Sequence, residues 1–471
     1  MILIAKEHLN ITVQTWDLSF CEIESRARRR TSSQDGEAAH AAILILQTAA
    51  FFHYENILEA IFRKASTSFS SEQYEKLDKK VIKSITDLLQ LGEDQCWNGI
   101  IFYEGIRVFR SFSLIKEGSS SGIYTVHPLM HQWNRDRMAA SEKEVMHKVA
   151  KLILVHSIPL GDATEDFAFC RLLFVHIKAN CQFQQQNDIK KEFDELEYMR
   201  FSNVMQENGL WKDAEDFQYQ LMNIRKEKFG EMHQLTLASM RDLATTFAHQ
   251  GKIEDAEKLR MQVLNLNTKL LGSEHPDTLT SMNNLASTFS NQGQFEEAEK
   301  LQKQVLNLRT KLLGPEHPDT LTSMNNLAVT FSNQGQFEET EKLQKQVLNL
   351  QTKLQGPEHP NTLTSMSNLG FTFSNQGQFE EAEKLQKQVL NLRTKLLGPE
   401  HPNTLTSMNN LASTFSKQGQ FEEAEKLQKQ VLNLQTKLLG PEHPNTLTSM
   451  NNFAVTFSNQ GQFEEAEKLQ K

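Results

Sequence analysis

At 471 residues the chain exceeds what a single hydrophobic core organises, so two or three folding units are expected. Hydrophobic residues at 38% and charged residues at 23% give a globular balance, and the net charge of −9 comes with no basic run longer than Arg28–Arg30, which removes nucleic acid as a first partner. Cys21, Cys96, Cys170 and Cys181 form no CxxC pair and are too sparse for a disulfide framework, a usage that fits a reducing compartment.

The chain opens MILIAKEHLN, where Lys6 and Glu7 interrupt the apolar run before a secretory core can form. No later stretch approaches the roughly 18 apolar residues of a membrane span, so the expected location is cytoplasmic, with no membrane partner. Residues 1–36 read as a helical remnant. Residues 37–140 predict helices at Ala38–Phe62, Ser71–Leu91 and Gly99–Phe112, then strands at Ser113–Lys116 and Ile123–Val126. The strands are joined by Glu117–Gly122, whose glycines and serines favour a tight reversal. A helix at Pro128–Ala140 follows, its proline in a first turn that tolerates it. Helices, a β-hairpin wing and a closing helix are the order of a winged-helix-like domain. Residues 141–192 carry no repeat and read as a helical linker region.

Thr15–Phe20, Ile43–Phe51 and Tyr124–Trp133 resemble the C-terminal winged-helix part of the nucleotide-binding module in fungal NB-ARC–tetratricopeptide proteins. The resemblance implies a ligand-sensing switch in self/non-self recognition. In that family a histidine after the wing senses the nucleotide; His127 occupies its place, with Pro128 where the family has aspartate. No GxxxxGK[ST] occurs, and no apolar strand ends in paired acids, so the phosphate cradle and magnesium ligands have no residues to form them. The expectation is a switch remnant without its NTPase core and without a cofactor. His127 and His131 stand four apart, yet lack the glutamate and third ligand of a zinc helix, so no metal is expected.

From residue 193 onward the chain repeats. The segment from His275 to Glu316 recurs from His317, His359 and His401 and begins again at His443, a step of 317 − 275 = 42 residues. Glycines at 461, 419, 377, 335, 293, 251 and 209 trace about seven units over 193–471, the last one cut short. Leu279, Met282, Leu285, Ala286 and Phe289 keep helical spacing, as do Phe295, Ala298, Leu301, Val305, Leu308 and Leu312. Gly293 turns the chain between these helices, Gly314-Pro315 stops the second, and Pro318 opens the next. The linker Glu-His-Pro invites a metal or acid–base reading, but histidines one whole unit apart cannot share an ion, and capping is expected instead. Such pairs cannot bury their apolar stripes alone, so they must stack into a solenoid with one concave face. The last helix, ending at Lys471, should leave an uncovered apolar face, frayed or available for end-to-end self-association.

Leu285, Ala286, Phe289, Gly293, Phe295 and Ala298 resemble the tetratricopeptide pattern, and the 42-residue HPDTLTSMNNLA unit resembles the repeats of kinesin light chains. The predicted fold class is therefore all-α: a tetratricopeptide superhelix preceded by a helical, winged-helix domain with a small β-hairpin. The resemblance implies a non-enzymatic scaffold or sensor whose partner is a protein or extended peptide held on the concave face. A nucleotide-driven signalling switch is the alternative.

Asparagine is a mediocre helix former, so its mid-helix repetition asks for a reason. Asn283-Asn284, Asn325-Asn326, Asn409-Asn410 and Asn451-Asn452, with Asn368 after Ser367, are expected on the inner surface as a ladder that bonds a peptide main chain. Ser287, Val329, Phe371, Ser413 and Val455 vary most between units and are the expected selectivity positions, with Phe371 as an apolar anchor.

Overall fold

The computed structural model describes residues 2–28, 34–69, 77–89, 97, 99–118, 121–159, 164–186 and 194–470. It forms two compact units, Met1–Glu207 and Asn208–Lys471. The first contains α1 (Ile2–Arg28), α2 (Gln34–Ala49), β1 (Ile57–Leu58), α3 (Glu59–Ser68), α4 (Lys79–Leu89), α5 (Gly99–Ser111), β2 (Ile115–Glu117), β3 (Ile123–Val126), α6 (Pro128–Arg137), α7 (Ala140–Ser157), α8 (Thr164–Gln186) and α9 (Glu195–Glu207).

The helix expected over Ala38–Phe62 is two helices with a strand between them. The final carbonyls of α2 are taken by side chains of α6: Asn134 Nδ2 donates to Leu46 O at 2.8 Å, His131 Nε2 meets Ala49 O at 3.0 Å, and Arg135 donates to Ala50 O at 3.2 Å. These non-local caps satisfy the end of α2 and stop it there. The chain then reverses through Asn56, at φ +55°, into β1. In place of the expected two-stranded hairpin there is a three-stranded antiparallel sheet in the order β1-β3-β2, with Ile57 opposite Tyr124 and Ile115 opposite Val126. Ser119 and Ser120 of its expected turn, and residues 71–76 with Gln90 and Leu91 of the expected second helix, lie outside the described residues.

Where a linker is expected, α7 is buried without interruption from Val149 to Ser157 and packs against α2, α3, α4, α8 and α9. At the start of α9, Asp194 and Glu197 exchange reciprocal bonds of 2.9 and 3.0 Å, a capping box. The same Glu197 carboxylate pairs with Lys151 of α7 at 2.7 Å, both side chains under a tenth exposed.

The second unit runs α10 (Trp211–Phe229), α11 (Gln234–His249), α12 (Ile253–Leu271), α13 (Pro276–Asn291), α14 (Phe295–Leu313), α15 (Pro318–Asn333), α16 (Phe337–Gln355), α17 (Pro360–Asn375), α18 (Phe379–Leu397), α19 (Pro402–Lys417), α20 (Phe421–Leu438), α21 (Pro444–Asn459) and α22 (Phe463–Gln470). Local chemistry sets each boundary. The linker histidine is an N-cap: Nδ1 of His275, His317 and His359 accepts the N–H two residues on at 3.2 Å, and His401 and His443 do so at 3.1 Å. Gly293 takes φ +77° to end the odd helix, and Gly314 takes φ +89° to end the even one.

Each pair contributes a small core, seen in Leu321–Met324–Val347, Leu363–Met366–Val389 and Leu405–Met408–Val431. Thr340, which replaces the alanine of its sister units, is fully buried and donates to Gln336 O at 2.9 Å, so the helix contact absorbs its hydroxyl. Odd helices also touch the next odd helix, α13 with α15, α17 with α19 and α19 with α21; among the described residues the even helices make no comparable contact. The array therefore curves with the odd helices inside.

Candidate functional site on the inner helices

The asparagine pair divides into two roles. Asn283 is 5% exposed, and its Nδ2 donates to Ser323 Oγ of the next odd helix at 3.4 Å; Asn409 does the same to Ser449 at 2.8 Å. Oδ1 of Asn283, Asn325 and Asn409 is enclosed. Asn283 and Asn409 are thus ties between consecutive units rather than free inner-surface groups as expected; Asn325 makes no such bond to Ser365, whose Oγ is enclosed without a partner. Asn451 is exposed. The second column, Asn284, Asn326, Asn368, Asn410 and Asn452, is half-exposed on the inner side. Within it the Asn410 amide donates to Ser367 Oγ at 3.2 Å, while Arg260 and Gln428 donate to the main-chain carbonyls of Asn284 and Asn452.

One turn further along each odd helix lies the variable position. Val329, Phe371 and Val455 are 48, 45 and 47% exposed, and Ser287 and Ser413 are half-buried. Phe371 follows Gly370, whose sister residues are alanine; an added Cβ there would sit 3.1 Å from Gln386 Cγ. The ammonium of Lys417 lies 5.6 Å from the centre of the Phe371 ring and donates to Asn375 Oδ1 at 2.7 Å, and partial burial lowers its pKa. The inner side is thus a polar column beside a row of separate apolar side chains.

Models of the tetratricopeptide repeat match residues 198–265, 278–319, 329–395, 368–437 and 416–471. A solved structure of nearly identical tetratricopeptide-like repeats in a putative kinesin light chain from Podospora anserina is 37% identical, covers 43% of this chain and 95% of its own, and has a TM-score of 0.37. This chain belongs to the tetratricopeptide-repeat family. A Rap protein complexed with competence and sporulation factor is 11% identical over 70% of this chain and 90% of its own, with a TM-score of 0.45. A signal-transduction ATPase with a tetratricopeptide sensor from Pyrococcus horikoshii is 13% identical over 96% of this chain and 71% of its own, at 0.38. No curated protein sequence matches.

In this tetratricopeptide array the sequence reading missed one buried group. Arg309 of α14 donates to Asp319 O at 2.9 Å, Ser323 Oγ at 3.0 Å and Thr280 Oγ1 at 3.1 Å, bridging α13 and α15; Arg393 of α18 bridges α17 and α19 in the same way. The signal was present as an alternation at one position per unit: Arg225, Asn267, Arg309, Gln351, Arg393, Gln435.

In the first unit His127 and His131 do not converge. His127 is the exposed N-cap of α6, its Nδ1 accepting from Leu129 N at 3.3 Å, and it borders a cleft of about 750 Å³ with Tyr54, Arg110 and Lys116. His131 is buried, with its pKa lowered to about 4 by desolvation. The three segments that carry the winged-helix resemblance do meet, through Trp16 against His127 and Trp133 and through α6 on α2. Among the described residues no group of histidine, cysteine or acidic side chains is placed to hold a metal, and no helix is long and apolar enough to cross a membrane.

Proposed function

We propose that the array is a non-enzymatic, cytoplasmic scaffold that holds an extended polypeptide along its odd helices. The observation that carries this reading is the pairing, unit after unit, of a half-exposed asparagine amide with a variable side chain one turn on, Asn326 with Val329, Asn368 with Phe371 and Asn452 with Val455. An asparagine amide offers a donor and an acceptor together, which matches the C=O and N–H of a peptide unit whatever its side chains. The variable position then selects among partners through apolar contact. The second asparagine column carries this role along the whole array, whereas Asn283 and Asn409 of the first are engaged in joining units.

The test is binding to a peptide array by Asn326→Ala/Asn368→Ala and by Phe371→Ser, the latter installing the residue of sister units. Two lost hydrogen bonds at about 1 kcal/mol each should weaken every bound peptide roughly 30-fold. Phe371→Ser should instead change which peptides bind. Full affinity in the double asparagine variant, with unchanged circular dichroism, would refute the ladder.

A further inference from the structure

One contact in the second unit joins positions far apart in the array. Gly209, in the turn before α10, lies against Pro444, the first residue of α21: a Cβ built on Gly209 would stand 2.3 Å from Pro444 Cδ and 2.6 Å from Cγ. No side chain fits that space. The same construction at Gly251, Gly293, Gly335, Gly377, Gly419 and Gly461, the corresponding turns of the other units, meets nothing within 4 Å. All seven glycines need a left-handed φ, but at Gly209 alone is the missing Cβ demanded a second time, by a neighbour.

The linker on the other side of the contact departs from its sisters. Residues 397–404 and 439–446 have the same sequence, LGPEHPNT. Yet α20 ends at Leu438, one residue before the end of α14 or α18 in register, and its cap Leu439 is right-handed where the sister caps are glycines near φ +89°. Leu438 turns in against Leu405, Met408 and Val431, whereas Leu270, Leu312, Leu354 and Leu396 at the same register stay about 45% exposed. Gly440 is buried where Gly314 and Gly398 are half-buried. Identical sequence with different structure points to a cause outside the linker.

We infer that the array completes one superhelical turn and closes on itself, the turn edge of its first helix pair seating on the linker edge of the pair that begins at Pro444. The separation, 444 − 209 = 235 residues, is about 5.6 units of 42. Gly209 lies at the edge formed by turns, and Pro444 at the opposite edge formed by linkers, so their meeting sets the rise per superhelical turn equal to the width of the ribbon. That width is one helix of 16 to 19 residues, about 24–28 Å at a rise of about 1.5 Å per residue. The two surfaces fit chemically: a glycine without a side chain accepts the flat pyrrolidine ring, and a proline at the first helical position has no N–H left to satisfy. The partner of this surface is the array itself, one turn on, and the contact is a latch that fixes curvature.

Hydrogen exchange on the full chain tests the latch, with the sequence-identical linkers as internal standards; proteolytic fragments containing Arg393 or Gln435 tell them apart. In the wild type, 439–446 should exchange about tenfold more slowly than 397–404. Gly209→Asn should abolish that difference, since asparagine tolerates left-handed φ but carries a Cβ. Gly293→Asn, with the same φ penalty and no neighbour, should leave it intact. Equal exchange of the two linkers in the wild type, or loss of the difference in both variants alike, would overturn the inference.

Discussion

The two units place their titratable groups in opposite ways. The first buries them: His131, His147, His156 and His176 are each at most 5% exposed and each has its pKa lowered to about 4, chiefly by desolvation, while Lys151 and Glu197 form a buried ion pair. The array keeps its linker histidines at the helix starts, where a lost cap bond is replaced by water, stacks His249 on Trp211 at the end of α11, and builds its interior from leucine, valine, alanine and neutral polar groups, with the arginines Arg225, Arg309 and Arg393 as the buried charges. A core assembled from contacts far apart in sequence can trap charge-bearing groups at single positions. The repeated units bury a charge only at alternate copies, and there as a guanidinium that stays ionised across the physiological range.

Acid should separate the units most strongly. A histidine held near 4 when folded and near 6.5 when unfolded contributes stability that is present above 6.5 and lost as pH falls toward 4, at most about 3 kcal/mol each. Glu197 opposes this: its pKa is raised to about 7, chiefly by burial, so its contribution is present below the unfolded value and lost as pH rises through 7. Four histidines outweigh one carboxyl, and the first unit should unfold between pH 6 and 4 before the array. Trp16, Trp97 and Trp133 lie in the first unit and only Trp211 in the array, so tryptophan emission should change at higher pH than helical ellipticity. A single coincident acid transition would break the contrast.

Lys151→Met leaves Glu197 without its cation and should destabilise the first unit by about 3 kcal/mol at pH 8, where the carboxyl is ionised, and by less below pH 7, where it takes up a proton. The array melt should not move, and a parallel shift of both transitions in calorimetry would show the units to be coupled. Arg393→Leu should cost the array about 2 kcal/mol by stripping partners from Ser407, Thr364 and the Asn403 carbonyl. Arg393→Gln, which installs the residue that sister units carry, should cost less than about 1 kcal/mol; equal losses in urea titrations would mean that the guanidinium has no special place. Smallest of all, Lys345→Ala removes an exposed i,i+4 pair with Glu341 and should change stability by no more than about 0.5 kcal/mol.

The array was legible because its boundaries are local: a histidine caps the N–H two residues away, glycine ends the helix, and the apolar spacing of Leu321, Met324 and Val347 can be read within one unit. The first unit was not, because its boundaries are long-range. Nothing near Ala49 announces that Asn134 and His131 will take the carbonyls at the end of α2, and a two-residue strand such as Ile57–Leu58 is too short to display a period. The site divides by the same rule. The exposed row of Val329, Phe371 and Val455 followed from helical spacing, whereas the withdrawal of Asn283 depends on Ser323, 40 residues on.

The alternation of arginine and glutamine has a mechanical meaning. Arg309 fastens α13, α14 and α15 together, and Arg393 fastens α17, α18 and α19, but Gln351 between them is too short to span its neighbours, and its Oε1 is enclosed without a partner. Considered as an elastic ribbon, the array is a series of stiff blocks joined by softer hinges, with α16 the hinge between two braced segments. Bending energy would concentrate there, so, with the overall curvature held by the closing contact at Pro444, a bound chain would be accommodated by small rotations at α16 while each block keeps its shape.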